Sequence, residues 1–151
     1  AARRRVGAGG CRALWAEAGG ELCIWTCSRD RGGVYPRPLT ARERAVLTAL
    51  LSVDFEGIER LRAQAADAQV FGGCSCGCPS IDFFKGRRGG MTIVVNAGVK
   101  DSNTYDGLFL YTVNVPRTGD VLGGIEWVGQ SESDPTELPA PEELEITLAT
   151  P

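Results

Sequence analysis

The chain has 151 residues, a formal net charge of −3 and 43% hydrophobic residues, which suits one domain with an ordinary core. Charged residues reach only 23% beside many Leu, Val and Ile, so global disorder is excluded, and no apolar run is long enough to span a membrane. The acidic balance argues against nucleic acid as a partner, and the absence of His removes the commonest general base and metal ligand.

Charge is divided unevenly along the chain. Residues 1–44 carry nine Arg against Glu17, Glu21, Asp30 and Glu43, whereas residues 45–151 are strongly acidic. Basic residues are almost all Arg, and Ala and Gly are abundant, a coding bias that points to a GC-rich, bacterial genome. Residues 1–38 are expected to be a flexible basic extension, because Gly recurs at 7, 9, 10, 19, 20, 32 and 33. Within them only Cys11–Ala18 suits a short helix and Glu21–Cys27 a strand. Arg3-Arg4-Arg5 lacks the apolar stretch that a secretory signal needs after its basic start, so a cytoplasmic protein is expected. The chain does not begin with Met, which suggests a fragment or a processed form.

Regular structure is expected from Leu39. Thr40-Ala41-Arg42-Glu43 is a capping box, and Ala45, Val46, Leu47, Leu50 and Leu51 then recur at helical spacing. A second helix is expected from Ser52 or Asp54, with Phe55, Ile58, Leu61, Ala65 and Ala68 as its stripe and Gly57 inside its first turns. Four strands are expected after Gly72-Gly73: Ser80–Lys85, Met91–Ala97, Leu108–Val115 and Val121–Gly129. Gly86–Gly90 reads as a hairpin connection and Pro116–Asp120 as a turn. Short connections favour antiparallel neighbours. The expected fold is therefore α+β, with two N-terminal helices packed on a four-stranded antiparallel meander, as a single domain over residues 39–130. Residues 131–151 hold six acidic residues, no basic one and four Pro, and read as an acidic tail; Leu144, Ile146 and Leu148 alternate and could add an edge strand.

Six cysteines occur, at 11, 23, 27, 74, 76 and 78. In an extended segment Cys74, Cys76 and Cys78 would share one side. Three thiolates could hold Zn²⁺ or Cu(I), with Cys23 or Cys27 as a fourth ligand. The competing reading, which the spacing favours because it is not that of ordinary zinc ribbons, is a set of small buried thiols at a corner bent by Gly77 and Pro79, with no cofactor. A disulfide between Cys76 and an N-terminal Cys is disfavoured by an intracellular setting, and a redox switch ranks below both.

Leu39-Thr40-x-x-Glu43, Leu50-Leu51, Asp54-Phe55-x-Gly57, Leu61-Arg62-x-Gln64, Cys76-Gly77-Cys78-Pro79-Ser80-Ile81 and Ile125-Glu126-Trp127 together resemble a group of small uncharacterised actinobacterial proteins. The resemblance covers residues 39–145, its specific part is Cys-Gly-Cys-Pro-Ser, and it implies no activity. A closing strand followed by an acidic tail is also similar in architecture to immunity proteins of bacterial toxin systems.

Catalysis finds little support. Ser80 and the cysteines have no His to activate them, and no nucleophile elbow or phosphate-binding loop is present. Asp82 and Glu126 could form an acid–base pair if they shared a cleft, but strand carboxylates usually point to water. The preferred function is a non-catalytic protein, immunity-like in kind, that engages a basic protein partner through an acidic sheet face bearing Asp82, Tyr111, Glu126 and Trp127, with Tyr105 as a further candidate. Tyr111 and Trp127 as core residues is the competing reading. The alternative function is a thiolate metal domain centred on Cys74, Cys76 and Cys78.

Overall fold

The computed structural model describes residues 34–85, 90–103, 105–129 and 134–150. The expected helix at 11–18, the expected strand at 21–27 and most of the Gly86–Gly90 connection lie outside the described residues. No helix among the described residues is long and apolar enough to cross a membrane.

The chain enters through β1 (Arg37–Pro38) and turns into α1 (Ala41–Leu50). The capping box forms as expected: the Glu43 amide donates to Thr40 Oγ1 at 3.2 Å, and the Thr40 amide donates to Glu43 Oε2 at 2.8 Å. Arg37 grips the same carboxylate with two hydrogen bonds of 2.8 Å. Burial pushes the Glu43 carboxyl up, but Arg37 and the Thr40 amide outweigh it, and the group sits below the ordinary carboxylate range. Val46, Leu47 and Leu50 form the buried stripe of α1.

The second helix, α2 (Ile58–Ala66), starts later than the sequence suggested. Gly57 is not inside it but precedes it at φ +88°, a left-handed conformation that favours glycine and breaks the helical path after α1. Arg62 ties the helices together, donating from Nε to the Leu51 carbonyl at 2.9 Å. Gln64 anchors α2 to the sheet by accepting the Leu122 amide at 2.8 Å.

The remaining strands are β2 (Gln69–Val70), β3 (Gly72–Gly73), β4 (Ile81–Asp82), β5 (Met91–Val99), β6 (Gly107–Val115), β7 (Gly119–Val128) and β8 (Leu144–Leu148). β1 and β2 pair alone; the others form a six-stranded antiparallel sheet in the order β3-β4-β7-β6-β5-β8. The protein is thus α+β, with helices before the sheet, but the four-stranded meander is corrected. Of the four expected strands, only the last three, β5, β6 and β7, follow one another as neighbours. β4 pairs with β3 and β7 rather than with β5, so the chain between β4 and β5 is not a hairpin connection. β8 adds the far edge against β5.

One sheet face carries Val95, Ala97, Leu108, Leu110, Leu122, Ile125 and Trp127, which pack with Val46, Leu47, Leu50, Ile58 and Leu61 of the helices. Phe109, Tyr111 and Val113 project from β6 to the other face and form a second apolar cluster with Phe84, Met91, Ile93, Val115, Val121 and Val128. β6 is therefore apolar on both sides, as its uninterrupted run Leu108–Tyr111 would suggest.

Candidate metal centre

The three central cysteines lie in the connection between β3 and β4. These short strands pair antiparallel, Gly72 with Asp82 and Gly73 with Ile81, so the chain must reverse within residues 74–80. Gly77 makes this reversal feasible at φ +97°, and its amide donates to the Cys74 carbonyl at 3.4 Å. A loop closed on itself turns alternate side chains toward a common centre. The Sγ atoms of Cys74, Cys76 and Cys78 all lie within 4.8 Å of one another.

That spacing matches what a soft ion requires. Zn–S bonds of about 2.3 Å in a tetrahedron place sulfurs ~3.8 Å apart. Cys74 and Cys76 approach more closely, with 2.7 Å between sulfurs. Cys78 is fully buried and Cys74 nearly so, while Cys76 is partly exposed. Cys74 is in a disulfide. A disulfide sulfur is no thiolate ligand, so the three-sulfur set is complete only when Cys74 is reduced. Cys23 and Cys27, the expected fourth ligands, lie outside the described residues.

The loop is fastened to the sheet by a hydroxyl. Ser80 Oγ accepts the backbone amide of Trp127 at 2.9 Å, donates to Glu126 Oε1 at 3.1 Å and lies 3.3 Å from Cys78 Sγ. The Cys78 amide in turn donates to Cys76 Sγ at 3.4 Å. Ser80 thereby orients Cys78, and Glu126 orients Ser80, the kind of outer support that fixes ligands at metal sites. In the sequence Ser80 stood out as the start of a strand, as part of the Cys-Gly-Cys-Pro-Ser motif and as a nucleophile without a base, not as a support for the cysteines. The alternation of Cys78, Ser80 and Asp82 was the signal that it shares the cysteines' side of the chain.

The four residues expected on an open acidic face are not on one. Asp82 is 8% exposed, Tyr111 0%, Glu126 2% and Trp127 3%. Strand carboxylates point to water only where their face is solvated, and the face that bears Tyr111 carries the second apolar cluster instead, while Trp127 belongs to the core on the opposite face. Asp82 accepts the Tyr111 hydroxyl at 2.8 Å. The Tyr111 ring lies across Gly123 and Gly124, where no side chain would fit: a Cβ on either would stand 2.4 Å from its nearest neighbour. Trp127 is a core residue whose Nε1 donates to Asp134 Oδ1 at 3.0 Å. Of the residues expected on that face, only Tyr105 is open to solvent, at 87%. An open cavity of about 440 Å³ lies between the helices, lined by residues including Arg44, Leu47, Leu51 and Arg62, and neither Asp82 nor Glu126 reaches it.

Comparison with family models, with curated proteins and with solved structures gave no match for this chain.

Proposed function

We propose that the protein, with Cys74 reduced, binds a thiophilic metal ion, Zn²⁺ or Cu(I), through Cys74, Cys76 and Cys78. The observation that carries this reading is the convergence of three sulfurs on a loop that β3, β4 and Ser80 hold in place. A preformed set of soft ligands binds with little ordering cost. Glu126 and Ser80 would set the orientation of Cys78, and Gly77 the bend that lets the sulfurs meet. The ion would tie β3 to β4, which pair over only two residues each, so the role is structural or metal-carrying. Engagement of a basic partner through Asp82, Tyr111, Glu126 and Trp127 has no specific observation in its favour, since all four are buried.

The test is elemental analysis of the full chain, reduced without oxygen, loaded with zinc and passed through a desalting column. One zinc per chain is expected, falling to below about one-tenth in a Cys76→Ser, Cys78→Ser double variant. Less than about one-tenth zinc in the unaltered chain refutes the reading.

A further inference from the structure

β8 closes the six-stranded sheet at one edge, and no strand among the described residues lies beyond it. The hydrogen bonds at its ends fix which backbone groups serve β5. The Lys100 amide donates to the Glu143 carbonyl at 2.8 Å, and the Ala149 amide donates to the Val94 carbonyl at 3.1 Å. The register runs unbroken between these points, and bonded residues alternate along an antiparallel ladder. Glu145 and Thr147 therefore turn their N–H and C=O groups to β5, whereas Leu144, Ile146 and Leu148 turn theirs outward. The Leu144 amide donates to the Pro141 carbonyl. The outward row that remains consists of the Leu144 carbonyl and the N–H and C=O groups of Ile146 and Leu148.

Such edges are commonly blunted by a proline, a bulge or a lysine. β8 has none of these. Its side chains instead form two rims. On the helix side Leu144 is buried, Ile146 is half-buried and Leu148 is 45% exposed, an apolar strip that widens toward the open end. On the other side Glu145 is exposed, and the exposed Glu142 and Glu143 precede the strand. None of these three carboxylates forms an ion pair among the described residues. The nearby cation, Lys100, donates to the Glu142 backbone carbonyl at 3.0 Å rather than to a carboxylate.

Charge selects the kind of strand that fits here. A second copy paired antiparallel about Ile146 would set its Glu145 on the diagonal from the first, on the same face and within about 7–8 Å, and would crowd both acidic approaches together. A strand bearing Lys or Arg meets the opposite condition.

We infer that β8 is a docking edge for an extended basic segment of another protein, which adds antiparallel to the sheet by main-chain hydrogen bonds to Leu144, Ile146 and Leu148. The strand that fits carries apolar side chains opposite these three residues, continuing the apolar strip, and Lys or Arg opposite Glu145 and Glu143. Docking here is independent of the metal reading, since β3 and β8 lie at opposite edges of the sheet.

The test is fluorescence anisotropy of the full chain with a labelled peptide of the pattern Val-Thr-Val-Lys-Val-Arg, and with an acidic counterpart in which Glu replaces Lys and Arg. The basic peptide is expected to bind with a dissociation constant below about 1 mM, weakening at least about threefold between about 50 and 300 mM salt. The acidic peptide should bind at least about tenfold more weakly. Leu148→Pro deletes an outward N–H but none that serves β5, so the sheet is kept and affinity should fall at least about tenfold. Glu145→Lys, a change at an exposed side chain, should reverse the preference between the two peptides. Circular dichroism confirms that each variant is folded, and the Ile146 and Leu148 amide resonances should move when the basic peptide binds. Weaker binding than about 1 mM, equal affinity for the two peptides, or unchanged affinity in Glu145→Lys or in folded Leu148→Pro overturns the inference. Self-association of the unaltered chain in sedimentation equilibrium, lost in Leu148→Pro, overturns it as well, by showing that a second copy occupies the edge.

Discussion

Replacing Ser80 by Ala removes one oxygen and almost no volume, so the core around it keeps its shape. The hydroxyl nevertheless serves two buried partners, the Trp127 amide and Glu126 Oε1. Loss of the acceptor leaves the Trp127 amide without this bond in the interior, at about 1–3 kcal/mol, and loss of the donor to a carboxylate adds about 1.5–3 kcal/mol. The two terms share one site and do not add fully, so a destabilisation of about 3–5 kcal/mol is expected. With a urea slope of about 2 kcal/mol per molar, the unfolding midpoint should fall by about 1.5–2.5 M. A Ser80→Ala, Glu126→Gln cycle should show coupling of at least about 1 kcal/mol, since the two side chains touch. A shift below about 1 kcal/mol for Ser80→Ala, or additive single changes, would refute the view that this hydroxyl fastens the loop to β7.

Gly124→Ala should destabilise by about 3 kcal/mol or more, because its Cβ would stand 2.4 Å from the Ile81 carbonyl and β4 would have to move. Gly98→Ala, with open space at its Cβ, should stay within about 0.5 kcal/mol, and equal effects of the two changes in urea unfolding would contradict the packing described. Glu43 is held below the ordinary carboxylate range, where Arg37 and the capping box overcome its burial. Its contribution is present above the unfolded value of the group and is lost as pH falls through the lower folded value. The stability advantage of the unaltered chain over Glu43→Gln should therefore shrink steadily on acidification below about pH 5; an advantage unchanged down to pH ~2 would contradict this linkage.

The helices and the three long strands were legible because their signals are local. Thr40 and Glu43 satisfy each other within one turn, and Met91–Ala97 and Leu108–Val115 carry enough apolar residues to declare a strand alone. The sheet order was not legible. β3 and β4 have two residues each, and β4 finds its partner in β7, across the whole of β5 and β6. Such pairing leaves no periodic trace, and Gly86–Gly90 resembles a hairpin turn whether or not its flanks pair. The burial of Asp82 and Glu126 was missed for a different reason. Alternation separates two sides of a strand but does not say that either is wet, and the clue lay in β6, whose Leu108 and Leu110 alternate with Phe109, Tyr111 and Val113.

The cysteine spacing showed that three sulfurs could share a side, but an extended segment would have spread them ~6.5 Å apart per step. Their convergence depends on Gly77 and on the antiparallel return of β4, which are tertiary facts. Ser80 entered the site through its hydroxyl contacts with β7, a non-local feature as well.

X-ray absorption at the zinc edge on the reduced, zinc-loaded chain bears most directly on whether the β3–β4 loop is a metal centre. Three or more sulfur neighbours at about 2.3 Å are expected, reduced in number when Cys76 is replaced by Ser. A shell made only of nitrogen and oxygen at about 2.0 Å would show that the zinc is held elsewhere and that the three thiols are merely packed together.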